Sequence, residues 1–264
     1  MANSMARVVR TCVWRNPISF WYTTRAHFST PLPEPACPAN VARLSQLREN
    51  GICVVENFFE PALIRLMREE VWQEAERLRY DKLDGGRKYR RMPDDSLYRL
   101  HDTRSFAPST RGFYENAELA DLVAAYMGPW YRVRAGYLDY KVGKAKFDSA
   151  AIPHIDNYLR EIKIFLLLDD CAPNNAPMVY WRGSHARRSW RWPYDYMCYT
   201  GTAYGINGFV ACSILDEQEA LGTVRPMTCT GQAGTMFVVD TRGVHRATIL
   251  EDDHRLQLVD VYKP

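Results

Sequence analysis

Apolar residues recur at helical spacing in the first half of the chain. Residues 40–51 (NVARLSQLRENG) predict a helix that the final Asn-Gly pair ends, and residues 52–56 (ICVVE) predict a short strand. The same spacing over residues 58–79, with a proline near the start, predicts an amphipathic helix, and residues 117–127 predict a shorter one. Between these two helices, residues 81–116 are mostly polar, which predicts a loop region with little regular structure.

From Tyr131 onward the pattern changes to short runs rich in β-branched and aromatic residues, separated by Gly, Pro, Asn and Asp. These runs are RVRAGYLDYKV, PHIDNYL, IKIFLLLDD, PMVYWRG, GTMFVVD and LQLVDVY. Strands that follow a helical segment favour a mainly β fold with flanking helices, whose core is a sandwich or barrel. We therefore expect a single domain over residues 39–264, with a helical part (39–130), a β core (131–264) and an N-terminal extension (1–38).

Composition narrows the class of protein. The 264 residues are 47% apolar, which is enough for a large core, and no apolar run approaches the roughly 18 residues that a membrane span requires. The formal net charge is +3, of which the four arginines in residues 1–33 contribute +4, leaving −1 for the remainder. We therefore expect neither a nucleic-acid partner nor a membrane partner. The sequence makes no prediction of oligomeric state.

The N-terminal extension and the cysteines indicate the cellular compartment of the protein. Residues 1–33 contain spaced arginines and hydroxyl residues but no acid, which is typical of an organelle transit peptide, although a disordered tail explains the pattern equally well. The seven cysteines are scattered without a C-x-x-C pair, as expected of reduced thiols. This favours an intracellular protein, mitochondrial if residues 1–35 are a transit peptide and otherwise cytoplasmic.

The predicted β region contains three candidate metal ligands. His154 and Asp156 are two residues apart at the expected start of a strand, so their side chains share one face. His245 comes 91 residues later, after GTMFVVD, where a jelly roll could bring it beside the first pair. Two imidazoles and one carboxylate leave three positions of an octahedral ion open, as in non-haem Fe(II) oxygenases. The same ligands also serve zinc sites.

Arg255 adds a second element to this site. It lies ten residues after His245 and opens the run RLQLVDVY beyond a polar turn, so a hairpin can turn its side chain into the barrel. A guanidinium group pairs bidentately with a carboxylate. The distal carboxylate of a metal-chelating 2-oxo acid requires such a partner, whereas a hydrolase has no general reason to place an arginine there.

These motifs resemble the phytanoyl-CoA dioxygenase family of Fe(II)- and 2-oxoglutarate-dependent oxygenases. The resemblance rests on PHIDN, on RGSH (Arg182 to His185), on GTMFVVDTRGVHRATILEDDHRLQLVDVY and on ENGICVVENFFEPALIRLMREEV, which together cover most of residues 45–262. The chain departs from the family at Arg182, where the family usually has proline.

The resemblance implies a fold and a chemistry. The fold is a double-stranded β-helix, a jelly-roll of the cupin-like type, in which His154, Asp156 and His245 bind Fe(II) and form the catalytic centre. Arg255 anchors 2-oxoglutarate, and O2 oxidises a small organic substrate by hydroxylation or desaturation, with release of succinate and CO2. A second contact to 2-oxoglutarate is expected on the strand before His154, where Tyr137, Tyr140 and Lys141 are candidates, and Thr248 is a further one.

Two alternatives stay open at this point. The same three ligands fit a cupin-like zinc or manganese hydrolase or isomerase, and a catalytically inactive jelly-roll binding module is the third interpretation. His185 is interpreted as a structural residue of the Gly-Ser-His turn that donates to backbone. The aromatic segment 189–208 is interpreted either as core packing or as a lid over the substrate.

Overall fold

The computed structural model describes residues 16–81, 89–91, 97–128, 131–143, 149–201, 208–251 and 254–264. These residues form two antiparallel β-sheets with helices packed against them. The mainly β fold with flanking helices is therefore confirmed.

The helices belong mainly to the first half of the chain. They are α1 (Pro17–Ser29), α2 (Ala39–Asn50), α3 (Pro61–Asp81), α4 (Thr103–Phe106), α5 (Arg111–Tyr114), α6 (Ala117–Met127), α7 (Trp192–Thr200) and α8 (Cys212–Ala220). Gly51 ends α2 in the left-handed conformation, with φ of 76°, which glycine adopts without steric cost.

The strands are β1 (Ile52–Val55), β2 (Tyr89–Arg91), β3 (Leu97–His101), β4 (Arg132–Val142), β5 (Ile162–Leu167), β6 (Val179–Arg182), β7 (Arg225–Thr228), β8 (Met236–Asp240), β9 (His245–Arg246) and β10 (His254–Lys263). The larger sheet has the order β1-β8-β5-β10-β4-β3-β2, and the smaller sheet has the order β7-β6-β9.

The two faces of the larger sheet pack against different parts of the protein. Alternate residues, such as Leu138 on β4 and Leu256 on β10, pack with α2, α3 and α6 in the main hydrophobic core. The residues between them face the smaller sheet, where Tyr180 of β6 packs against Phe237 of β8 and Leu167 of β5. Because side chains alternate along a strand, one face builds the core and the other is available for a site.

Two expectations about secondary structure were wrong. Residues 97–101 form β3, although the sequence predicts a loop there, because Tyr98 and Leu100 bury one face of a strand whose other face carries Arg99 and His101. The segment PHIDNYL does not form a continuous strand. Its pairing is limited to isolated bridges from His154 to Phe209 and to His245.

The described part of the N-terminal extension packs on the domain. Residues 17–29 form α1, and its Phe20 is buried against the rings of Tyr158, Trp192, Tyr196 and Tyr199 at centroid distances of 5.3 to 5.7 Å. Residues 1–15 lie outside the described residues, so the choice between a transit peptide and a disordered tail stays a prediction. No described helix combines the length and the apolar composition needed to cross a bilayer.

The aromatic segment 189–208 forms α7 and part of the loop after it, of which residues 202–207 lie outside the described residues. Aromatic side chains of α7 pack against Phe20 of α1. The described residues that line the central cavity include none from α7. These contacts favour the packing interpretation of this segment over the lid.

Candidate active site

Three side chains that the sequence singles out converge between the sheets. The Nε2 atom of His154 lies 4.0 Å from Oδ1 of Asp156, and Nε2 of His245 lies 3.5 Å from Oδ2 of the same carboxylate. One ligand atom from each residue lies within 4.8 Å of the other two. Ligand atoms on a common metal ion are about 3 Å apart, so small side-chain adjustments are enough to bind one.

Main-chain hydrogen bonds hold these ligands in place. The amide of His154 donates to the carbonyl of His245, and the amide of His245 donates back to the carbonyl of His154, both at 2.9 Å. The amide of Asp156 donates to the carbonyl of Thr241 at 2.9 Å. The two histidines are therefore joined directly through backbone, and Asp156 is held to the segment that precedes β9, independently of any bound ion.

The imidazole rings are oriented for metal binding. Nδ1 of His154 lies 2.7 Å from the carbonyl of Ile152, and Nδ1 of His245 lies 2.9 Å from that of Gly243. A carbonyl only accepts, so each Nδ1 carries a proton, which leaves each Nε2, on the side of Asp156, as the ring nitrogen that can bind a metal ion. Burial, followed by the neighbouring His245, lowers the pKa of His154 to about 4, which keeps this imidazole neutral as a metal ligand must be.

Lys163 on β5 is a site residue that the sequence analysis missed. Its ammonium group donates to Oδ2 of Asp156. Although burial raises the pKa of Asp156, Lys163 and the two histidines lower it well below its ordinary value. The sequence does carry a signal for Lys163, which is a lysine inside the apolar run IKIFLL. Because its neighbours Ile162 and Ile164 face the core, Lys163 must face the site.

The ligands open into a cavity of about 290 Å³ between the two sheets. Lining residues come from β3, β4, β5, β8 and β10 and from the segment after β9. Besides the three ligands, its charged and polar lining residues are Arg99, Tyr137, Asp139, Lys141, Lys163, Arg255 and Gln257. The site thus combines a metal-binding end with a cluster of charged groups.

Arg255 lies in this cavity, as the sequence predicts. The residue is only 4% exposed, and its Nη1 donates to the carbonyls of Asn175, at 3.4 Å, and Ala176. Its buried Nε has no acceptor among the described residues. A buried donor without a partner is costly, so this guanidinium group fits an incoming carboxylate.

Of the other residues predicted to contact the cosubstrate, some line the cavity and others lie away from it. Lys141 lines the cavity and is the cross-strand neighbour of Arg255, and Tyr137 lines it as well. Tyr140 lies on the opposite face of β4, where its hydroxyl donates to Glu76 of α3, so its prediction as a cosubstrate contact was wrong. Strand alternation places residues 137, 139 and 141 on one face and Tyr140 on the other.

Thr248 also lies away from the cavity. Its hydroxyl donates to the carbonyl of Pro177 at 2.7 Å, and the described lining includes its neighbour Ala247 instead. Residues 247–249 follow the short strand β9 and belong to no strand themselves, so strand parity could not place this side chain. The predicted contact of Thr248 with the cosubstrate was therefore wrong.

Arg99 and Asp139 form a partly buried ion pair in the cavity that the sequence analysis did not predict. Nε of Arg99 donates to Oδ1 of Asp139 at 2.8 Å and Nη2 to Oδ2 at 3.3 Å. The Arg99 guanidinium group also lies 4.1 Å from the ring centroid of Tyr137. The pair was missed because Arg99 belongs to β3, in the region predicted as a loop.

His185 is not part of this site. Its Nε2 donates to the carbonyl of Arg48 at 3.0 Å, which ties the Gly-Ser-His turn to the end of α2. Burial lowers the pKa of His185, so the ring is neutral. The interpretation of His185 as a structural residue is confirmed.

No protein-family model matches the chain, and no curated protein matches it in sequence. Solved structures do match. The epimerase SnoN from nogalamycin biosynthesis, in complex with Fe3+, alpha ketoglutarate and nogalamycin RO, is 18% identical with a TM-score of 0.60, over 85% of this chain and 83% of SnoN. EctD from S. alaskensis, with 2-oxoglutarate and 5-hydroxyectoine, is 18% identical with a TM-score of 0.62, over 90% of this chain and 79% of EctD.

A third similar structure is the non-heme alpha ketoglutarate dependent carbocyclase SnoK, also from nogalamycin biosynthesis. It is 14% identical with a TM-score of 0.57, over 87% of this chain and 86% of SnoK. The three neighbours include an epimerase and a carbocyclase, so the shared fold supports more than one reaction. At identities of 14% to 18%, these similarities establish the fold, and the chain has the jelly-roll fold of the non-haem iron and 2-oxoglutarate-dependent enzymes.

Proposed function

We propose that this chain is an Fe(II)- and 2-oxoglutarate-dependent dioxygenase that hydroxylates or desaturates a small organic substrate. The observation that carries the proposal is the location of Arg255, with an unpartnered buried Nε, in the same cavity as the His154, Asp156 and His245 ligands. SnoN and EctD, which share the fold, are solved with alpha ketoglutarate and 2-oxoglutarate, respectively.

The donor set fits iron. Two neutral imidazole nitrogens and one carboxylate oxygen are the ligands of the facial triad, which leaves three coordination positions for other molecules. When bound, iron with 2-oxoglutarate and O2 supplies the oxidation of a C–H bond, with release of succinate and CO2.

The residues of this chain have distinct functions in that reaction. The carbonyls of Ile152 and Gly243 orient the two imidazoles. Lys163 donates to Oδ2 of Asp156 and so fixes the orientation of the carboxylate. Arg255 binds the distal carboxylate of 2-oxoglutarate, and Lys141 beside it adds positive charge to that end of the cavity.

The alternatives lack the same support. A zinc or manganese hydrolase or isomerase would use the same three ligands but has no requirement for Arg255. A binding module without catalysis has no chemical need for three oriented ligands and a buried arginine together.

The first test is an anaerobic titration of the purified full chain with Fe(II) and 2-oxoglutarate. The chelated keto acid gives a weak visible charge-transfer band, which we expect for the native protein. The band should be absent in His245→Ala and should require much more 2-oxoglutarate in Arg255→Gln. Arg225→Gln, which removes an exposed arginine on β7, is the matched control and should behave as the native protein.

The contrary results are equally specific. A protein that retains zinc or manganese and gives no band with Fe(II) and 2-oxoglutarate contradicts the proposal and favours the hydrolase or isomerase. A protein that binds none of these metals favours the inactive module. Succinate release with candidate substrates then follows for a protein that gives the band.

A further inference from the structure

The C-terminal end of α1 packs against three arginines from separate parts of the chain. The guanidinium carbons of Arg160, Arg187 and Arg242 lie 4.6, 5.1 and 4.4 Å from the ring centroid of Phe28. We call these three arginines the Phe28 arginine cluster. None of them is among the described residues that line the metal cavity, so the cluster is a separate place in the molecule.

Among the described residues, the ion pairs of the cluster are limited to the one between Arg242 and Asp240. Burial and the nearby cations Arg242 and Arg48 lower the pKa of Arg160, although Tyr126 and Asp240 oppose them. Asp240 is the carboxylate that faces the cluster, with Oδ2 3.5 Å from Nη2 of Arg242. It is already shared, because it accepts from the hydroxyl of Tyr126 at 2.6 Å and from the amide of Arg242 at 2.9 Å.

His27 adds no charge to the cluster. Its Nε2 accepts the amide of Arg160 at 3.2 Å, and its carbonyl accepts from the side chain of Arg160 at 3.3 Å. Burial, followed by Arg160 and Arg242, lowers the pKa of His27 to about 4, so the ring is neutral near pH 7. The end of α1 therefore supplies acceptors and an aromatic face but no carboxylate.

Hydrogen-bond donors remain in the cluster. The side chain of Arg242 is only 6% exposed, and its Nε has no acceptor among the described residues. A guanidinium group that lies over an aromatic ring uses its flat face and keeps its edge donors for other partners. Arg187 is exposed, so the cluster extends from the buried Arg242 to solvent.

We propose that the Phe28 arginine cluster binds the oxyanion of a phosphate group. A phosphate carries nearly two negative charges at neutral pH and several acceptor oxygens, which match the donors of several guanidinium groups. The group is either inorganic phosphate or the phosphate of an organic monoester. This site is independent of the metal cavity and does not rest on the proposed function.

The test is calorimetric binding of inorganic phosphate and of phenyl phosphate to the metal-free full chain at constant ionic strength. Arg187→Gln removes an exposed member of the cluster and should leave the fold intact, and Arg242→Gln is the second variant. Arg188→Gln is the matched control, since it removes the same charge at the next exposed position. Arg255→Gln controls for binding in the metal cavity.

We expect saturable binding that is about tenfold weaker in Arg187→Gln and unchanged in Arg188→Gln and Arg255→Gln. Binding of inorganic phosphate alone identifies the free ion as the ligand, and binding of phenyl phosphate at similar affinity identifies phosphate monoesters. Absence of saturable binding overturns the proposal. Equal weakening in Arg187→Gln and Arg188→Gln, or loss of binding in Arg255→Gln, overturns it too, because the anion is then attracted by net charge or held in the metal cavity.

Discussion

The main chains of His154 and His245 hydrogen-bond to each other in both directions, at 2.9 Å each, although the residues are 91 positions apart. This reciprocal pair sets the distance between the two imidazole ligands through backbone geometry. The amide of Asp156 donates a hydrogen bond to the carbonyl of Thr241, four residues before His245. The metal site is therefore preorganised, and changes to its side chains should alter chemistry more than they alter the backbone.

Replacement of Arg255 by Gln should weaken 2-oxoglutarate binding by about tenfold to a hundredfold, because a charge-assisted bond to the distal carboxylate is lost. Lys at this position should restore the affinity only in part, since an ammonium group does not form the bidentate pair. Titration of the Fe(II) protein with 2-oxoglutarate measures the effect.

Tyr140→Phe provides the matched control for this prediction. Its hydroxyl donates to Glu76 outside the cavity, so 2-oxoglutarate affinity should stay at the native value. An equal loss of affinity in Tyr140→Phe and Arg255→Gln would contradict the assignment of Arg255.

Lys163→Met should destabilise the metal-free protein by about 3 kcal/mol, because Asp156 remains buried without its cation. A divalent metal ion supplies the missing positive charge. The increase in melting temperature on addition of Mn(II) should therefore be larger in Lys163→Met than in the native protein, as thermal denaturation with and without the metal would show.

Lys263→Met is the control for the Lys163 prediction. Lys263 pairs with Glu161 at 3.0 Å and lies outside the cavity lining. Its replacement should leave the metal-induced increase in melting temperature unchanged. A smaller metal effect in Lys163→Met than in the native protein would show that Lys163 assists metal binding rather than substituting for the ion.

Acidification should release α1 from the domain. The pKa of His27 is lowered to about 4 in the folded protein by burial, Arg160 and Arg242, with Asp240 acting in the opposite sense. Because the folded pKa is below the unfolded value, this contribution to stability is present above about pH 6.5 and is lost as the pH falls toward 4.

Hydrogen exchange of residues 17–29 at pH 7 and pH 4.5 tests the His27 prediction. Exchange, corrected for its intrinsic pH dependence, should accelerate at the lower pH in the native protein. His27→Gln should show a smaller difference between the two pH values. The same difference in both proteins would mean that another group controls the docking of α1.

Phe20→Ala should make the free energy of docking of α1 on the domain less favourable by about 3 kcal/mol, because a buried ring that contacts four others is removed. Hydrogen exchange should accelerate in residues 17–29 while β10 stays protected. Trp21→Ala, at the next position and 40% exposed, should change the exchange of α1 much less.

The sequence predicted the elements with strong local patterns. The helix that ends at Gly51, the amphipathic helix α3 and the long strand β4 agree with their apolar spacing, since one buried face repeats along each. The candidate ligands His154, Asp156 and His245 and the cavity residue Arg255 also followed from residue type, order and spacing. Local periodicity and donor chemistry are properties of the chain itself, so they can be read before folding.

The tertiary structure decided which side chains share the cavity. Lys163, Arg99 and Asp139 reach it because strands distant in sequence pair in one sheet, and strand alternation turns Tyr140 away while it admits Lys141. The docking of α1 on the loop after Asp156 likewise depends on contacts between remote aromatic residues. Sheet register and packing, which involve the whole chain at once, select which residues meet, whereas a local pattern shows at most which face of a strand a side chain such as Lys163 occupies.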